Sequence, residues 1–266
     1  MRDKFELLLS LKLLEYEITE LTLYSKECCD CFELLKNKLD DLCQFIVSEE
    51  KVNQWNVWGS HQEIQEYSNR VREASVKALC DIEKYQSICT CKNELDISSY
   101  LTKLSKTVKK ELEVYQMDST SKVLFIGSGA FPLSALTIAK EIKAEVLCVD
   151  IDLEAVELGQ QVAKALGLES FVHFTNKNVK QLSFCSEATH IIIASLVPDK
   201  IEVLEDVKDC MQSSAKIIMR YGNGLKSIFN YPLEQDLSAE WVQTRITEST
   251  TIYDTLILEK AKSLIS

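Results

Sequence analysis

A short glycine-containing segment, Gly127-Ser128-Gly129, is the part of the sequence best suited to ligand chemistry. It follows an apolar run, residues 123–126, whose composition is typical of a strand. Glycines at this spacing allow a tight turn and a close approach of a ligand to the backbone. A second apolar run ends in Asp150, 23 residues after Gly127, where a carboxylate can accept hydrogen bonds from both ribose hydroxyls. The pattern predicts a site for an adenosine-bearing cofactor.

Position 132 separates two classes of such cofactors. The dinucleotide-binding fingerprint continues with a third glycine three residues after the second, and Pro132 stands there instead. A proline suits the first turn of a following helix but does not allow the close helix–strand packing of a glycine. A dehydrogenase is therefore disfavoured. The alternative is a purely structural turn beside an unrelated surface aspartate.

Apolar runs and helical stretches alternate through the second half of the chain and would position this loop. The runs predict five strands, over residues 123–126, 145–149, 171–174, 190–195 and 216–220. Such alternation favours a mostly parallel sheet covered by helices on both faces. Two further runs, 242–247 and 253–259, are joined by a short loop and predict an antiparallel hairpin. This layout is typical of a Rossmann-like, S-adenosylmethionine-dependent methyltransferase domain.

The first half is almost free of turn-forming residues, since residues 1–126 contain one glycine, Gly59, and no proline. Long helices are the expected result. Apolar residues recur at helical spacing in two segments, namely Leu7, Leu11, Leu14 and Ile18, then Leu34, Leu35, Leu39, Leu42 and Ile46. Further helices are predicted over residues 61–87 and 98–115. We therefore predict an α/β protein with an all-helical domain at 1–118 and a Rossmann-like domain at 119–266.

Composition and charge exclude several functions. The 41 acidic and 30 basic residues give a net charge of −11 and are spread over both halves, so no basic surface for nucleic acid is expected. The longest apolar runs are about a third of a bilayer span. The N-terminal residues include acidic side chains that a secretory signal would lack. These features predict a cytoplasmic protein without a membrane partner.

The ten cysteines need a separate interpretation. In a chain without an export signal they predict reduced thiols rather than a disulfide framework. Cys28 and Cys31 have the spacing of a metal-binding pair, but no second pair follows and the three histidines are scattered. Zinc normally requires four converging ligands, so no metal site is predicted.

Two groups of motifs resemble the nicotianamine synthase family. The first is Phe125-Ile126-Gly127-Ser128-Gly129-Ala130-Phe131-Pro132-Leu133 together with Val149-Asp150-Ile151-Asp152-Leu153-Glu154-Ala155-Val156. The second is Met219-Arg220-Tyr221-Gly222-Asn223-Gly224 followed by Ile228-Phe229-Asn230-Tyr231-Pro232. The resemblance covers nearly the whole chain, more weakly in its first helical segments, and is greatest for the bacterial branch that makes staphylopine-type opine metallophores.

This resemblance implies transfer of the 3-amino-3-carboxypropyl (2-aminobutanoyl) group of S-adenosylmethionine onto an amine, with methylthioadenosine as the second product. For the staphylopine-type branch the acceptor would be the α-amine of D-histidine, with L-histidine or another amine as the alternative. The product would pass to an opine dehydrogenase. A homodimer through the helical domain is a further expectation.

The resemblance also implies catalytic residues. The family's catalytic glutamate lies on a helix in an apolar context that matches Glu83, and its tyrosine matches Tyr100, which would also contact the substrate. Glu83 would be the general base for the attacking amine, since an α-amino group is largely protonated at pH 7. Glu73 or Asp81 would take this role if the register differs. Arg220, at the end of the fifth strand, would bind a carboxylate.

The Rossmann-like domain would hold the cofactor at the carboxyl ends of its strands. The expected contacts lie after the first four strands, at Gly127, Ser128, Gly129, Asp150, Ile151, Asn178, Val179, Ala194, Ser195 and Leu196. Asn178 and Val179 would lie beside the adenine. Two other interpretations stay open, a small-molecule methyltransferase that uses the same loop and acid, and a non-catalytic binding module.

Overall fold

The computed structural model describes residues 1–95 and 98–260, without the side chains of residues 98–100 and 102–107. The chain forms two compact units. The first consists of Met1–Ile82, Tyr221–Gln235 and Ile246–Thr255, and the second of Glu83–Arg220, Asp236–Arg245 and the described residues from Leu256 onward. Each unit combines separate stretches of the chain, so the two units are not divided at one point in the sequence. The predicted domain boundary at residue 118 stays a prediction.

The first unit is helical and has an apolar core of its own. It contains α1 (Arg2–Tyr24), α2 (Cys31–Val47), α3 (Glu49–Trp58) and the first part of α4 (Gln62–Cys91). Most of the apolar residues that helical spacing singles out are buried together, namely Leu7, Leu11, Leu14, Ile18, Leu35, Leu39, Leu42 and Ile46. Leu34 is the exception, because it is 55% exposed. The helical prediction for this half is confirmed.

A distant stretch of sequence completes this core. Leu225, Ile228 and Phe229 are buried in the same apolar cluster as the helices of the first unit. A short 3-10 helix, Gly224–Ile228, carries two of them. The side-chain amide of Asn230 donates to the carbonyl of Ile252 at 2.7 Å and fixes the segment that follows. Part of the second motif group therefore serves the packing of the helical unit.

The remaining helix and a seven-stranded sheet follow. Helix α5 (Ser98–Tyr115) precedes strands β1 (Lys122–Ile126), β2 (Glu145–Val149), β3 (Val172–Thr175), β4 (His190–Ile193), β5 (Lys216–Tyr221), β6 (Trp241–Ile246) and β7 (Asp254–Lys260). The helices between them are α6 (Leu133–Ile142), α7 (Leu153–Ala165), α8 (Phe184–Glu187) and α9 (Lys200–Cys210). All seven predicted strands are present, with ends shifted by at most two residues. None of the helices in the described ranges is long and apolar enough to cross a lipid bilayer.

The strand order β3-β2-β1-β4-β5-β7-β6 confirms the predicted α/β fold class. From β3 to β5 the neighbouring strands are parallel, and Val123 of β1 lies opposite both Val146 of β2 and His190 of β4. The direction of winding reverses between β1 and β4. Open α/β sheets bind ligands beside the carboxyl ends of the strands at such a switch point. Strands β6 and β7 are neighbours, as the predicted hairpin requires.

The prediction of reduced thiols is wrong for one pair. Cys185 in α8 and Cys210 in α9 form a disulfide. They are 25 residues apart in sequence, a separation that matches no recognisable motif, and only the packing of α8 against α9 brings them together. None of the other eight cysteines, all within the described ranges, forms a disulfide.

Candidate active site

The loop after β1 has the backbone conformation that its glycines were expected to provide. The φ angles of Gly127 and Gly129 are +76° and +69°, in the left-handed region that favours glycine. The N–H of Gly127 donates to the carbonyl of Val149 at 2.8 Å and ties the loop to the end of β2. The N–H of Gly129 donates to Oδ2 of Asp150 at 2.8 Å. The glycine loop and the acid predicted from the sequence are therefore in direct contact.

Asp150 is held by two backbone donors and keeps room for a ligand. Its second oxygen, Oδ1, accepts from the N–H of Asp152 at 3.0 Å. Each carboxylate oxygen has two lone-pair sites, so both can still accept from ribose hydroxyls. The next residue, Ile151, is 97% exposed and offers an apolar surface beside the carboxylate. This arrangement fits an adenosine-bearing ligand.

The segment after β4 packs against the same loop. A Cβ atom added to Gly127 would lie 2.5 Å from Cγ2 of Val197 and 3.3 Å from Cβ of Ala194. The predicted contact residues Ala194, Ser195 and Leu196 are partly exposed. Buried Lys200 fixes the segment, because its Nζ donates to the carbonyls of Ser195 at 2.9 Å and Val197 at 2.6 Å. Lys200 could not be recognised in the sequence, where nothing distinguishes it from a surface lysine.

Helix α4 brings Glu83 to the glycine loop. The Glu83 carboxylate accepts hydrogen bonds from the backbone N–H groups of Ala130 and Phe131. A Cβ atom added to Gly129 would overlap Oε2 of Glu83 and lie 3.1 Å from its Cδ. The carboxylate therefore occupies the space that any side chain at position 129 would need.

The two alternative acids have other partners. Glu73 accepts hydrogen bonds from the hydroxyl of Tyr231, at 3.1 and 3.0 Å from its two oxygens. Asp81 lies 3.8 Å from Nζ of Lys26. Of these three described carboxylates, Glu83 is the one that hydrogen bonds place at the glycine loop.

The surroundings of Glu83 change its acidity. Although the residue as a whole is partly exposed, its carboxyl group is enclosed, and this burial raises its pKa to about 8. The nearby charge of Asp150 acts in the same direction, whereas the N–H groups of Ala130 and Phe131 favour the carboxylate and act against it. A carboxyl group with a pKa near neutrality can both take up and release a proton, as general acid–base catalysis requires.

Two neighbours of Glu83 hold this part of α4 in place. Nζ of Lys84 lies 2.7 Å from Asp152 and 2.6 Å from Glu154, at the start of α7. One turn after Glu83, the hydroxyl of Ser87 donates to the carbonyl of Ala130 at 2.7 Å. Sequence reasoning missed Lys84 and Ser87, because a lysine and a serine on a long helix carry no signal of these distant partners.

The other predicted site residues are placed as follows. The side chain of Asn178 accepts from the N–H of Lys180 at 2.9 Å and caps a short 3-10 helix, Val179–Gln181, whose first residue is buried. Ser128 is buried within the glycine loop. Tyr100 belongs to α5, and its side chain lies outside the described part of the structure.

Arg220 is buried at the end of β5 and is engaged by protein groups. Its Nη2 lies 2.9 Å from Oε2 of Glu111 on α5, and its Nη1 donates to the hydroxyl of Ser134 on α6 at 3.3 Å. These contacts link β5 to both helices. Binding of a substrate carboxylate by Arg220 stays a prediction.

Comparison with known proteins assigns the chain to a family. The family model described as nicotianamine synthase protein matches residues 22–266. The chain belongs to the nicotianamine synthase family. An L-histidine 2-aminobutanoyltransferase of Pseudomonas aeruginosa (strain UCBPP-PA14) is 39% identical over 261 residues, which are 98% of this chain and 99% of that protein. A protein of the same name from Yersinia pestis is 34% identical over 258 residues, 96% of each chain.

Solved structures agree with the fold. The crystal structure of MtNAS in complex with MTA and tNA has a TM-score of 0.78 at 17% identity and covers 95% of this chain and 97% of that one. A mutant of MtNAS in complex with S-adenosylmethionine has a TM-score of 0.74 at 16% identity, with 93% and 98% coverage. The nicotianamine synthase resemblance predicted from the motifs is confirmed.

Proposed function

We propose that this nicotianamine synthase family member transfers the 2-aminobutanoyl group of S-adenosylmethionine to the α-amine of histidine and releases methylthioadenosine. The main observation in support is the position of Glu83: its carboxylate has a raised pKa and lies against the loop that we expect to hold the cofactor. The names of relatives at 34% and 39% identity support the same transfer.

The chemistry depends on which carbon the amine can reach. When bound, S-adenosylmethionine supplies a sulfonium with three electrophilic carbons, and its sulfur retains the electron pair of the C–S bond that breaks. The protein selects the carbon through where it holds the amine, and displacements of about 1 Å change such rates by about 100-fold. For aminobutanoyl transfer, the amine has to face the aminocarboxypropyl arm and not the methyl group.

Glu83 prepares the amine for attack. A histidine α-amino group is mostly protonated at neutral pH and has no lone pair to donate in that state. In its ionised form, Glu83 takes one proton from the ammonium group, so the nitrogen becomes nucleophilic and the proton resides on the Glu83 carboxyl. Tyr100 assists by orienting the amine, and Arg220 binds a carboxylate while sharing its guanidinium with Glu111.

The cofactor is held by the ends of the parallel strands. The backbone of Gly127, Ser128 and Gly129 follows its arm, Asp150 binds the ribose hydroxyls and Ile151 covers the sugar. Asn178 and Val179 lie beside the adenine, and Ala194, Ser195 and Leu196 line the opposite wall. Support comes from the left-handed φ angles of both glycines and from the free lone pairs of Asp150.

The proposal also concerns which enantiomer of histidine accepts the 2-aminobutanoyl group. Resemblance to the staphylopine-type branch implies D-histidine, whereas the relatives reported above are named for L-histidine. We infer that L-histidine is the better acceptor and keep D-histidine as the alternative. In either case the enzyme would act in the cytoplasm, and its product would serve metal acquisition after an opine dehydrogenase condenses it reductively with a 2-oxo acid.

A product assay tests the function. The chain is incubated with S-adenosylmethionine and each histidine enantiomer, and the nucleoside products are separated. Methylthioadenosine is expected, and S-adenosylhomocysteine as the only product would establish a methyltransferase instead. Glu83→Gln should lower turnover by about 100-fold to 10,000-fold with nearly unchanged S-adenosylmethionine affinity in calorimetry. Glu73→Gln is the matched control, because it alters the same residue type on the same helix and should remain active.

A further inference from the structure

The disulfide between Cys185 and Cys210 lies at one end of a helix whose other end supports the expected cofactor site. Cys210 is the last residue of α9, and Cys185 belongs to α8. Lys200 is the first residue of α9, and its Nζ donates to the carbonyls of Ser195 and Val197 in the segment after β4. A displacement of α9 would therefore move one wall of the site that we expect to bind S-adenosylmethionine.

Helix α9 also supports the segment expected beside the adenine. The 3-10 helix Val179–Gln181 begins directly after Asn178 and packs against α9. Nζ of Lys180 lies 2.8 Å from Oδ1 of Asp206 and 3.6 Å from Oδ2 of Asp209, both on α9. One helix thus joins the segments after β3 and β4, which carry the predicted contacts to the adenine and to the opposite wall.

Apart from the disulfide, the connections of α8 and the 3-10 helix to α9 are weak. The side chain of Lys180 is 52% exposed, and exposed ion pairs contribute little to stability. Helix α8 has four residues, too few for a helix that is stable by itself. The buried side chains of Leu204 and Val207 anchor α9 in the protein interior. Loss of the disulfide should therefore loosen α9 without unfolding the chain.

The surroundings of both sulfurs suit the reduced state as well. The carbonyl of Val207 lies 3.9 Å from Sγ of Cys185 and 3.4 Å from Sγ of Cys210, and the carbonyl of Asp206 also lies 3.4 Å from Sγ of Cys210. Thiol groups donate weak hydrogen bonds to such carbonyls. Cys185 is buried, whereas Cys210 is half-buried and can be reached from the solvent. The same fold can therefore hold a disulfide or two thiols.

We propose that the Cys185–Cys210 pair is a redox switch for the binding of S-adenosylmethionine, with a dithiol as its reductant. The disulfide holds α9 against both segments of the cofactor site, and reduction releases them and lowers the affinity. This inference rests on the proposed function for the identity of the ligand and for the cytoplasmic location. Disulfides of proteins in that reducing compartment are usually transient and either catalytic or redox-sensing.

The chemistry of the switch is thiol–disulfide exchange. A thiolate of the reductant attacks Sγ of Cys210, the S–S bond breaks, and the sulfur of Cys185 leaves as a thiolate that takes up a proton. The second thiol of the reductant then attacks its own sulfur in the mixed disulfide and releases Cys210 as a thiol. In total, two electrons and two protons pass from the dithiol to the pair, and the dithiol becomes a disulfide. Oxidised glutathione, a disulfide oxidant, reverses the change.

Calorimetry of S-adenosylmethionine binding to the full chain tests the switch. The chain is measured before and after reduction by dithiothreitol, and the number of thiols titrated in denaturant should rise from eight to ten. Reduction should weaken binding by about 5-fold to 150-fold, the usual range of coupling between two sites. Reoxidation by oxidised glutathione should restore the affinity.

Two variants separate the pair from the other thiols. Cys210→Ser should bind S-adenosylmethionine as weakly as the reduced chain and should not respond to dithiothreitol. Cys29→Ser is the matched control, because it removes an exposed thiol outside the disulfide, and its affinity should respond to dithiothreitol as that of the unmodified chain does.

Two further measurements distinguish a switch from general loss of structure. Linkage requires S-adenosylmethionine to stabilise the disulfide by the same factor by which the disulfide favours binding. In mixtures of reduced and oxidised dithiothreitol, saturating S-adenosylmethionine should lower the equilibrium constant for reduction by that factor. Hydrogen exchange should increase on reduction in residues 178–181 and 195–210 and should stay unchanged in β1 and β2.

The outcomes separate this inference from the proposed function. Equal affinities of the oxidised and reduced chains, with binding by both, would overturn the switch and leave the proposed function intact. A Cys210→Ser variant that binds as tightly as the oxidised chain, or faster exchange throughout the chain on reduction, would overturn the switch too. Absence of S-adenosylmethionine binding by both forms would overturn the proposed function as well.

Discussion

Replacing Gly129 by alanine should displace the Glu83 carboxylate from the glycine loop. The new Cβ would overlap Oε2 of Glu83 and lie 3.1 Å from Cδ and 3.4 Å from Oε1, whereas ordinary contacts of a Cβ atom begin at 3.4 Å. The carboxylate would have to move by about 1 Å or more and would lose the N–H donors of Ala130 and Phe131. A displacement of that size lowers the rate of a positioned reaction by about 100-fold, which is the expected loss in kcat.

Gly127→Ala is the control for backbone strain. Gly127 has a φ angle of +76°, close to the +69° of Gly129, so both alanines incur a similar conformational cost of about 1–2 kcal/mol. The Cβ at position 127 would press on Val197 and Ala194 and not on Glu83. Its effect should therefore fall on stability and on S-adenosylmethionine affinity, while that of Gly129→Ala falls mainly on kcat.

Shortening the acid provides the decisive comparison. Glu83→Asp removes one methylene and leaves room for a Cβ at position 129. In a double-mutant cycle, the Gly129→Ala/Glu83→Asp variant should lose less activity than the two single losses combined. The assay is methylthioadenosine formation at saturating substrates, with thermal unfolding measured on every variant. Strict additivity, or equal kcat values for Gly129→Ala and Gly127→Ala, would refute the assigned contact.

Four further predictions concern the acidity and the support of the site. The kcat/KM of the unmodified chain should rise with pH through the Glu83 pKa of about 8, because the base acts when ionised. In Glu83→Gln, the pH dependence of kcat/KM should come only from deprotonation of the substrate amine. Because the fold raises this pKa, stability falls as pH rises from the ordinary carboxyl pKa to about 8 and falls no further above it, where Glu83 is ionised in both states. Glu83→Gln should therefore be more stable than the unmodified chain at pH 9 by about 2–4 kcal/mol after discounting for partial exposure, and equally stable below the ordinary carboxyl pKa; denaturant unfolding at both pH values checks this. Lys84→Met should lower kcat by about tenfold with little change in S-adenosylmethionine affinity, whereas Lys77→Met, an exposed site on the same helix, should leave kcat unchanged; equal kcat values would contradict a positioning role. Lys200→Met should raise the KM for S-adenosylmethionine and cost about 2–4 kcal/mol of stability, since two carbonyls lose their buried donor; an unchanged KM would exclude this support of the cofactor wall.

The parts of the fold that could be predicted are those governed by local rules. Strand ends, the left-handed glycines and the acid after β2 follow from apolar runs and turn chemistry within short segments. The contact of Gly129 with Asp150 follows as well, because adjacent parallel strands end at the same sheet edge. These features need only the neighbouring sequence.

The parts that escaped prediction depend on packing between distant segments. Lys84 and Ser87 are recognisable only once α4 lies against the glycine loop and the start of α7. The bond between Cys185 and Cys210 requires α8 to lie beside α9. Resemblance to the family indicated Glu83. Why position 129 is a glycine is visible only in three dimensions, because a Cβ atom there would overlap the Glu83 carboxylate.

The fate of isotope labels tests aminobutanoyl transfer most directly. The chain is given histidine and S-adenosylmethionine labelled either in the methyl group or in the aminocarboxypropyl arm, and the products are weighed by mass spectrometry. We predict that the arm label moves to histidine and that the methyl label stays on methylthioadenosine. A methyl label on histidine, with the arm label retained in S-adenosylhomocysteine, would contradict the proposed function.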